Sequence, residues 1–234
     1  MAVMADAPPD GVDLDKLFRK SSVFDSASAL EKAGFKVLHG KSDKIFVATH
    51  KDARGYIFKK FGRHAHRSYA VQLMQYQQRV EGARLLREHI SAHNITRIVV
   101  PRKWLCALPS KFDTRKGPSY IVVADYFKIL DREESERAYK RIGTEQLKEL
   151  CTILFTFGKL DFCPRNAPFD KDGRIVWVDT ERVRLIQPDL RSHIRSYEKN
   201  INRTLSGKGL KIAEDLLEEF VKRSGLDKKR KRRG

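Results

Sequence analysis

The stretch LDFCPRNAPFDKDGRIVWVDTE, Leu160 to Glu181, sets out three polar side chains at fixed intervals: Asp161, then Asn166, then Asp179. Between the last two, Asp172-Gly173 separates the apolar stretch Ala167–Phe169 from the strand-like run Ile175-Val176-Trp177-Val178, a β-hairpin signature. A hairpin returns the chain on itself, so Asn166 and Asp179 flank its open end, with Asp161 just ahead. Two carboxylates and an amide could therefore converge at that end. Singly, each also has an ordinary structural use: Asp161 can cap a turn, Asn166 can close an Asx-turn and Asp179 can end a strand.

The elements that must position these groups are legible on either side. Residues 35–40, 44–50 and 55–61 are three short β-rich runs split by KSD and KDAR, connections short enough for an antiparallel meander. A helix is predicted over 67–94, with Val71, Met74, Val80, Leu85, Leu86 and Ile90 on one mostly apolar side. Two further strands, 95–108 and 119–127, are nearly continuous apolar runs and so read as buried. From Thr144 to Leu160 the pattern is helical again, with Leu147, Leu150, Ile153, Leu154 and Phe157 at three- and four-residue spacing. After the hairpin come helical segments at about 188–206 and then a stripe of Leu210, Ala213, Leu216, Leu217, Phe220 and Val221. Residues 14–35 are helical with a serine-rich interruption, and the Ala/Pro/Asp-rich residues 1–12 read as disordered. The order implies an α+β protein in two lobes.

The 234 residues are 41% hydrophobic, enough for a sizeable core, and carry 48 Lys and Arg against 30 Asp and Glu, a net charge of +18. A surplus of that size points to an anionic partner. From Arg184 onward there are 15 basic and 7 acidic residues, and six of the basic ones form the run KKRKRR at 228–233. That tail reads as a solvated terminus, a nuclear-import signal, or a contact for nucleic acid or another acidic partner. The three cysteines, Cys106, Cys151 and Cys163, are far apart, which suits a reducing compartment and excludes a disulfide framework. His64 and His66 have no matching Cys/His pair. No apolar run approaches the roughly 20 residues of a membrane span, and the N-terminus lacks a secretory pattern. The expectation is a soluble protein.

The motifs resemble those of the protein kinase-like superfamily. Its catalytic loop has an Asp, four intervening residues including a Pro, and an Asn; here KLDFCPRN supplies Asp161, Pro164 and Asn166 in that register. A hairpin later the superfamily has its magnesium-binding Asp, and WVDTE supplies Asp179. The resemblance implies that Asp161 orients or deprotonates an acceptor hydroxyl while Asn166 and Asp179 hold Mg2+. The superfamily's third strand ends in a lysine that meets the α- and β-phosphates of ATP. Strand alternation sets Lys59 on the face of Ile57 and Lys60 on that of Phe58, and the resemblance favours Lys59, leaving Lys60 as a solvated strand-end lysine. Glu81 of the long helix is implied as its partner, ahead of Glu88. VVADYF is implied as the hinge, with Ala124 at the adenine pocket and Asp125 and Phe127 offering backbone hydrogen bonds, while Gly40 and Ser42 cover the phosphates.

Three departures mark a reduced, atypical relative. HGKSDK holds one glycine, Cys163 and Lys159 replace the usual Lys and His of the catalytic loop, and DTE stands for D-F-G with only 55 residues after Asp179. The implied architecture is a kinase-like domain over 13–226, with a five-stranded antiparallel N-lobe to about 127 and a mostly helical C-lobe from about 128, then the tail 227–234. It is similar to lipopolysaccharide sugar kinases and to small kinase-like effectors of host-associated bacteria. The implied activity is ATP- and Mg2+-dependent phosphoryl transfer to a hydroxyl, with protein Ser/Thr ahead of sugar. The alternatives are a pseudokinase binding module and a basic nucleic-acid-associated protein. The implied location is the cytoplasm, the nucleus through the tail, or a host cell after secretion.

Overall fold

The computed structural model describes residues 5–39, 45–61, 68–114, 117–158, 160–185, 197–198, 201–202, 204–205 and 207–223. The chain forms two compact units, one from the residues up to Arg84 together with Pro101–Phe127, the other from Leu85–Val100 and from Lys128 on.

The first unit opens with two short helices, α1 (Leu14–Leu17) and α2 (Ala27–Lys32). Asp13 caps α1 by accepting the Lys16 N–H, and Ser26 caps α2 by accepting that of Ala29. The serine-rich interruption between them is a 3₁₀ turn, Ser21–Phe24. Strands β1 (Phe35–His39), β2 (Ile45–His50) and β3 (Tyr56–Phe61) follow as the predicted meander. The long helix α3 (Tyr69–Ala92) then leads to β4 (Ile98–Val99), β5 (Lys103–Ala107) and β6 (Tyr120–Asp125). Five of these strands form one antiparallel sheet in the order β1-β2-β3-β6-β5.

Both faces of that sheet are covered. Phe46, Ala48, Phe58, Cys106, Ile121 and Val123 share one core with Leu17, Phe18, Val23, Phe24 and Leu30 of the N-terminal segment. Phe61, Leu105, Tyr120 and Val122 form a second with Tyr76, and Leu73 and Val80 of α3 pack against it. Cover on both sides explains why β6 reads as an unbroken apolar run, buried from Tyr120 to Ala124. Residues 5–12 are not the disordered lead expected of them. Asp6 exchanges hydrogen bonds with Leu105, its N–H to the Leu105 carbonyl at 2.7 Å and its carboxylate accepting the Leu105 N–H at 2.7 Å, and so pairs the edge of β5.

Residues 95–108, expected as one strand, are two. Pro101 cannot donate to a ladder and breaks the run. Its first half, β4, belongs to the second unit and pairs parallel with β8 (Ile175–Val176), Ile98 opposite Ile175 and Val99 opposite Val176.

The second unit adds α4 (Arg132–Lys140) and α5 (Thr144–Thr156). The highly charged α4 has few apolar residues but carries a capping box, in which Asp131 and Glu134 each accept the other's backbone N–H. Leu147, Leu150, Cys151, Ile153 and Leu154 of α5 are buried. The helix stops earlier than predicted, because Phe157–Gly158 becomes β7, paired with β9 (Arg184–Leu185). Against α5 packs α6 (Gly207–Arg223), whose Phe220 stacks on Phe155 at 4.6 Å with Ala213 and Leu217 buried. Most of 188–206, and the tail 227–234, lie outside the described residues.

Candidate functional site

In the second unit the hairpin is wider than Asp172-Gly173 alone. Asp170 is buried and its carboxylate organises the turn, accepting the N–H groups of Asp172 at 3.0 Å and Arg174 at 2.8 Å and the Arg174 Nε at 2.9 Å. The Asp170 N–H donates across the turn to the Arg174 carbonyl, and Gly173 supplies the φ of +77° that closes it. Beyond the turn Val176 donates to the carbonyl of Pro168 at 2.7 Å. On the other side the N–H groups of Ile175 and Trp177 go to Arg97 and Val99.

At the open end the carbonyl of Asn166 accepts the N–H groups of Val178 at 2.9 Å and Asp179 at 3.2 Å. The Asn166 side chain, itself buried, donates from Nδ2 to the carbonyl of Asp161 at 2.7 Å. Asn166 and Ala167 both donate to the Cys163 carbonyl, tightening the loop between Asp161 and Asn166. Behind that loop Phe162 is buried against Tyr139 (5.4 Å) and Trp177 (5.7 Å), and the Tyr139 hydroxyl donates to the Ala167 carbonyl at 2.6 Å. The structure therefore ties Asp161, Asn166 and Asp179 together through backbone and amide hydrogen bonds.

Their remaining chemistry follows from what those bonds use up. With Nδ2 committed, the free donor-accepting atom of Asn166 is Oδ1. The Asp161 carboxylate is half-buried and makes no hydrogen bond or ion pair with a described residue. Asp179, also half-buried, accepts the Glu181 N–H on Oδ1 at 3.3 Å. Among the described residues no group of three or more His, Cys, Asp and Glu side chains could hold a metal. A two-ligand set of amide and carboxylate oxygens suits Mg2+, which binds through few protein oxygens and takes the rest from phosphate and water. The residues present fit that ion.

In the first unit Lys59 is half-buried on the α3-facing side of β3, the face of Phe61, whose ring meets Tyr76 at 5.0 Å. Lys60 is not the solvated lysine expected. It points to the opposite, aromatic face, its Nζ 5.8 Å from the Phe24 ring, and burial lowers its pKa to about 8.

The pairing of Lys59 with Glu81 does not form. Glu81 is exposed and bonded to Arg84 at 2.6 and 2.8 Å, a contact that lowers its pKa. The buried side of α3 runs through Tyr76, Arg79, Ala83 and Leu86, and Glu81 lies off it, as do the exposed Val71 and Met74. The charged residue this helix buries beside the sheet is a cation, Arg79, its guanidinium 5.4 Å from the Phe61 ring.

At the segment expected to be the hinge, Ala124 is buried opposite Ile57 of β3 and Lys103 of β5. The Asp125 carboxylate takes the backbone N–H, Nε and Nη2 of Arg102 at 2.8–3.1 Å. The Asp125 N–H donates to the Arg102 carbonyl and that of Tyr126 to Gly55. Of the N–H groups of Asp125, Tyr126 and Phe127, only that of Phe127 makes no hydrogen bond with a described residue. Gly40, Ser42 and Lys159 lie outside the described residues. Sequence reasoning missed Asp170, Arg79 and Arg102; only Asp170 had a local signal, an Asp leading into an Asp-Gly turn.

No protein-family model and no curated protein matches the chain. Among solved structures it is similar to a co-crystal of WbdD with a kinase inhibitor, with a TM-score of 0.39 and 12% identity over 69% of this chain. The match spans 36% of that protein's chain, about a third of its length.

Proposed function

We propose that the protein is an atypical, kinase-like phosphotransferase that moves the γ-phosphate of ATP to a hydroxyl acceptor, a protein Ser/Thr side chain ahead of a sugar. The observation that carries the reading is Asn166. It is the common partner of Asp161, through its amide, and of the Val178–Asp179 end of the hairpin, through its carbonyl. One residue thus fixes the backbone of Asp161, whose carboxylate has no partner among the described residues, and the strand end that carries Asp179, and adds an amide oxygen of the type a hard cation takes.

In this reading Asp161 orients the acceptor hydroxyl and takes its proton as the new phosphate ester forms. Asn166 and Asp179 hold Mg2+, which, when bound, neutralises charge on the phosphate oxygens. Lys59 meets the α- and β-phosphates, and the Phe127 N–H is the hinge donor open to adenine. The purified chain, given γ-labelled ATP and Mg2+, is expected to transfer label to itself or to a general protein acceptor. Asp161→Ala and Asp179→Ala are each expected to abolish the transfer; label incorporated equally by both variants would refute the reading.

A second reading, a binding module without turnover, is favoured by one observation. The ion pair expected to position Lys59 is replaced by Glu81–Arg84 on the exposed side of α3. Stabilisation by Mg-ATP in a thermal-shift measurement, with no transfer to any acceptor tried, would select it.

A further inference from the structure

One cavity of the first unit has no part in that reading. It has a volume of about 540 Å³ and lies among α1, the 3₁₀ turn, α2 and the end of β2. Five cations line it: Lys16, Arg19, Lys20, Lys32 and Lys51, with Asp52 as the one acidic side chain. Each of the five is exposed, and none forms an ion pair with a described residue. Other exposed cations do have acidic partners, as in Arg84–Glu81, Arg102–Asp125 and Lys148–Glu145. Five unmatched positive charges around one concavity repel one another and raise the local potential for anions.

The wall of the cavity also presents an oriented imidazole. His50 packs its ring on Phe35 at 4.7 Å, and its Nδ1 accepts the Asp52 N–H at 3.1 Å. In the neutral ring the proton therefore sits on Nε2, which becomes the donor. Nε2 lies at the Gly34 wall: a Cβ on Gly34 would come within 3.0 Å of it, so the bare glycine, with φ +90°, is what lets the ring approach. Apart from His50 the lining has no aromatic ring, and so no platform on which nucleobases could stack. The size is that of a small-molecule site.

We infer that this cavity binds a compact ligand carrying two or more phosphate groups, held by Lys20, Lys32 and Lys51 with the His50 Nε2–H as a further donor. The same clustered phosphates occur in a free oligophosphorylated metabolite and in a phosphorylated lipid headgroup.

The test is calorimetric titration of the full chain with inorganic tripolyphosphate. Binding that weakens with salt and falls roughly tenfold or more in Lys32→Glu/Lys51→Glu is expected, because each reversal replaces an attraction by a repulsion at close range. Lys171→Glu/Lys140→Glu, the same charge change on exposed sites of the second unit, is expected to leave binding within about twofold. Circular dichroism of each variant verifies folding. No binding, or equal losses in the two double variants, would overturn the inference. So would loss on replacing KKRKRR by serines with no effect of the cavity variants. Vesicles containing a bisphosphorylated inositol lipid identify the source: capture reversed by tripolyphosphate assigns the headgroup, and absence of capture assigns the free ligand.

Discussion

The Asn166 amide donates to the Asp161 carbonyl at 2.7 Å, while the Asn166 carbonyl receives the N–H groups of Val178 and Asp179. A loop residue thereby fixes both the segment before it and the hairpin strand after it. Asn166→Ala removes the amide bond from a buried position and should cost about 1–2 kcal/mol of stability in urea unfolding. On the proposed reading, transfer should fall at least as far as in Asp179→Ala, since the variant would lose both a Mg2+ oxygen ligand and the register of Asp161. Retention of near wild-type transfer would detach Asn166 from the chemistry.

Lys59→Met should silence transfer, with a loss of about 2–4 kcal/mol of transition-state stabilisation, roughly 30- to 900-fold in rate. Glu81→Gln breaks only an exposed contact with Arg84. It should leave transfer near wild type and change stability by less than about 0.5 kcal/mol. A collapse of activity in Glu81→Gln would show that the glutamate leaves Arg84 during turnover.

Lys60 makes a stability prediction with a defined pH window. Its folded-state pKa is lowered from 10.5 to about 8 by desolvation. At pH 7 the amine is charged whether folded or unfolded, and the folded state bears the desolvation cost. Between about pH 8 and 10.5 the unfolded chain binds the additional proton, so stability rises with pH across that window. Lys60→Met should remove that rise and, at pH 7, be more stable than wild type by roughly 1–3 kcal/mol. Urea unfolding at a series of pH values verifies this; parallel profiles for the two proteins would contradict it.

The buried carboxylate of Asp170 holds the hairpin turn, whereas Asp172, also in the turn, is exposed. Asp170→Ala strips two backbone N–H groups and the Arg174 guanidinium of their acceptor, a loss of about 2–4 kcal/mol. Asp172→Ala gives up an exposed contact to Arg174 and should cost less than about 1 kcal/mol. Thermal unfolding of the pair should separate them clearly, and similar melting temperatures would place the turn's stability elsewhere.

Cysteine labelling reports the two cores and the loop independently. Burial pushes the Cys106 thiol up to about 12 and the Cys151 thiol up to about 11, and both side chains are inaccessible. Cys163, in the loop after Asp161, is half-buried. A thiol reagent at pH 8 should therefore modify Cys163 rapidly in the folded chain and the other two only after unfolding. Fast labelling of Cys106 would mean that the N-terminal segment leaves the sheet.

Local signals in this chain were strong where an element's chemistry is contained in its own few residues. The meander is visible because each strand carries its β-rich run and each connection is too short for anything but a hairpin. The hairpin after Asn166 is visible because Asp-Gly supplies the positive φ its turn requires, and the Asp161, Asn166 and Asp179 constellation comes with it. What local pattern could not settle is which neighbour each face meets. Along α3 apolar residues recur on more than one side, and only packing against Phe61, Leu105 and Val122 selects the side of Leu73, Tyr76 and Val80, leaving Glu81 outward. Lys60 looks like any lysine at a strand end until α1, α2 and the 3₁₀ turn cover its face with Phe24. Arg102 and Asp125 are 23 residues apart and meet only because β5 and β6 are antiparallel neighbours. Periodicity fixes an element and its two faces, but burial depends on the partner, and in this chain the partner comes from distant sequence.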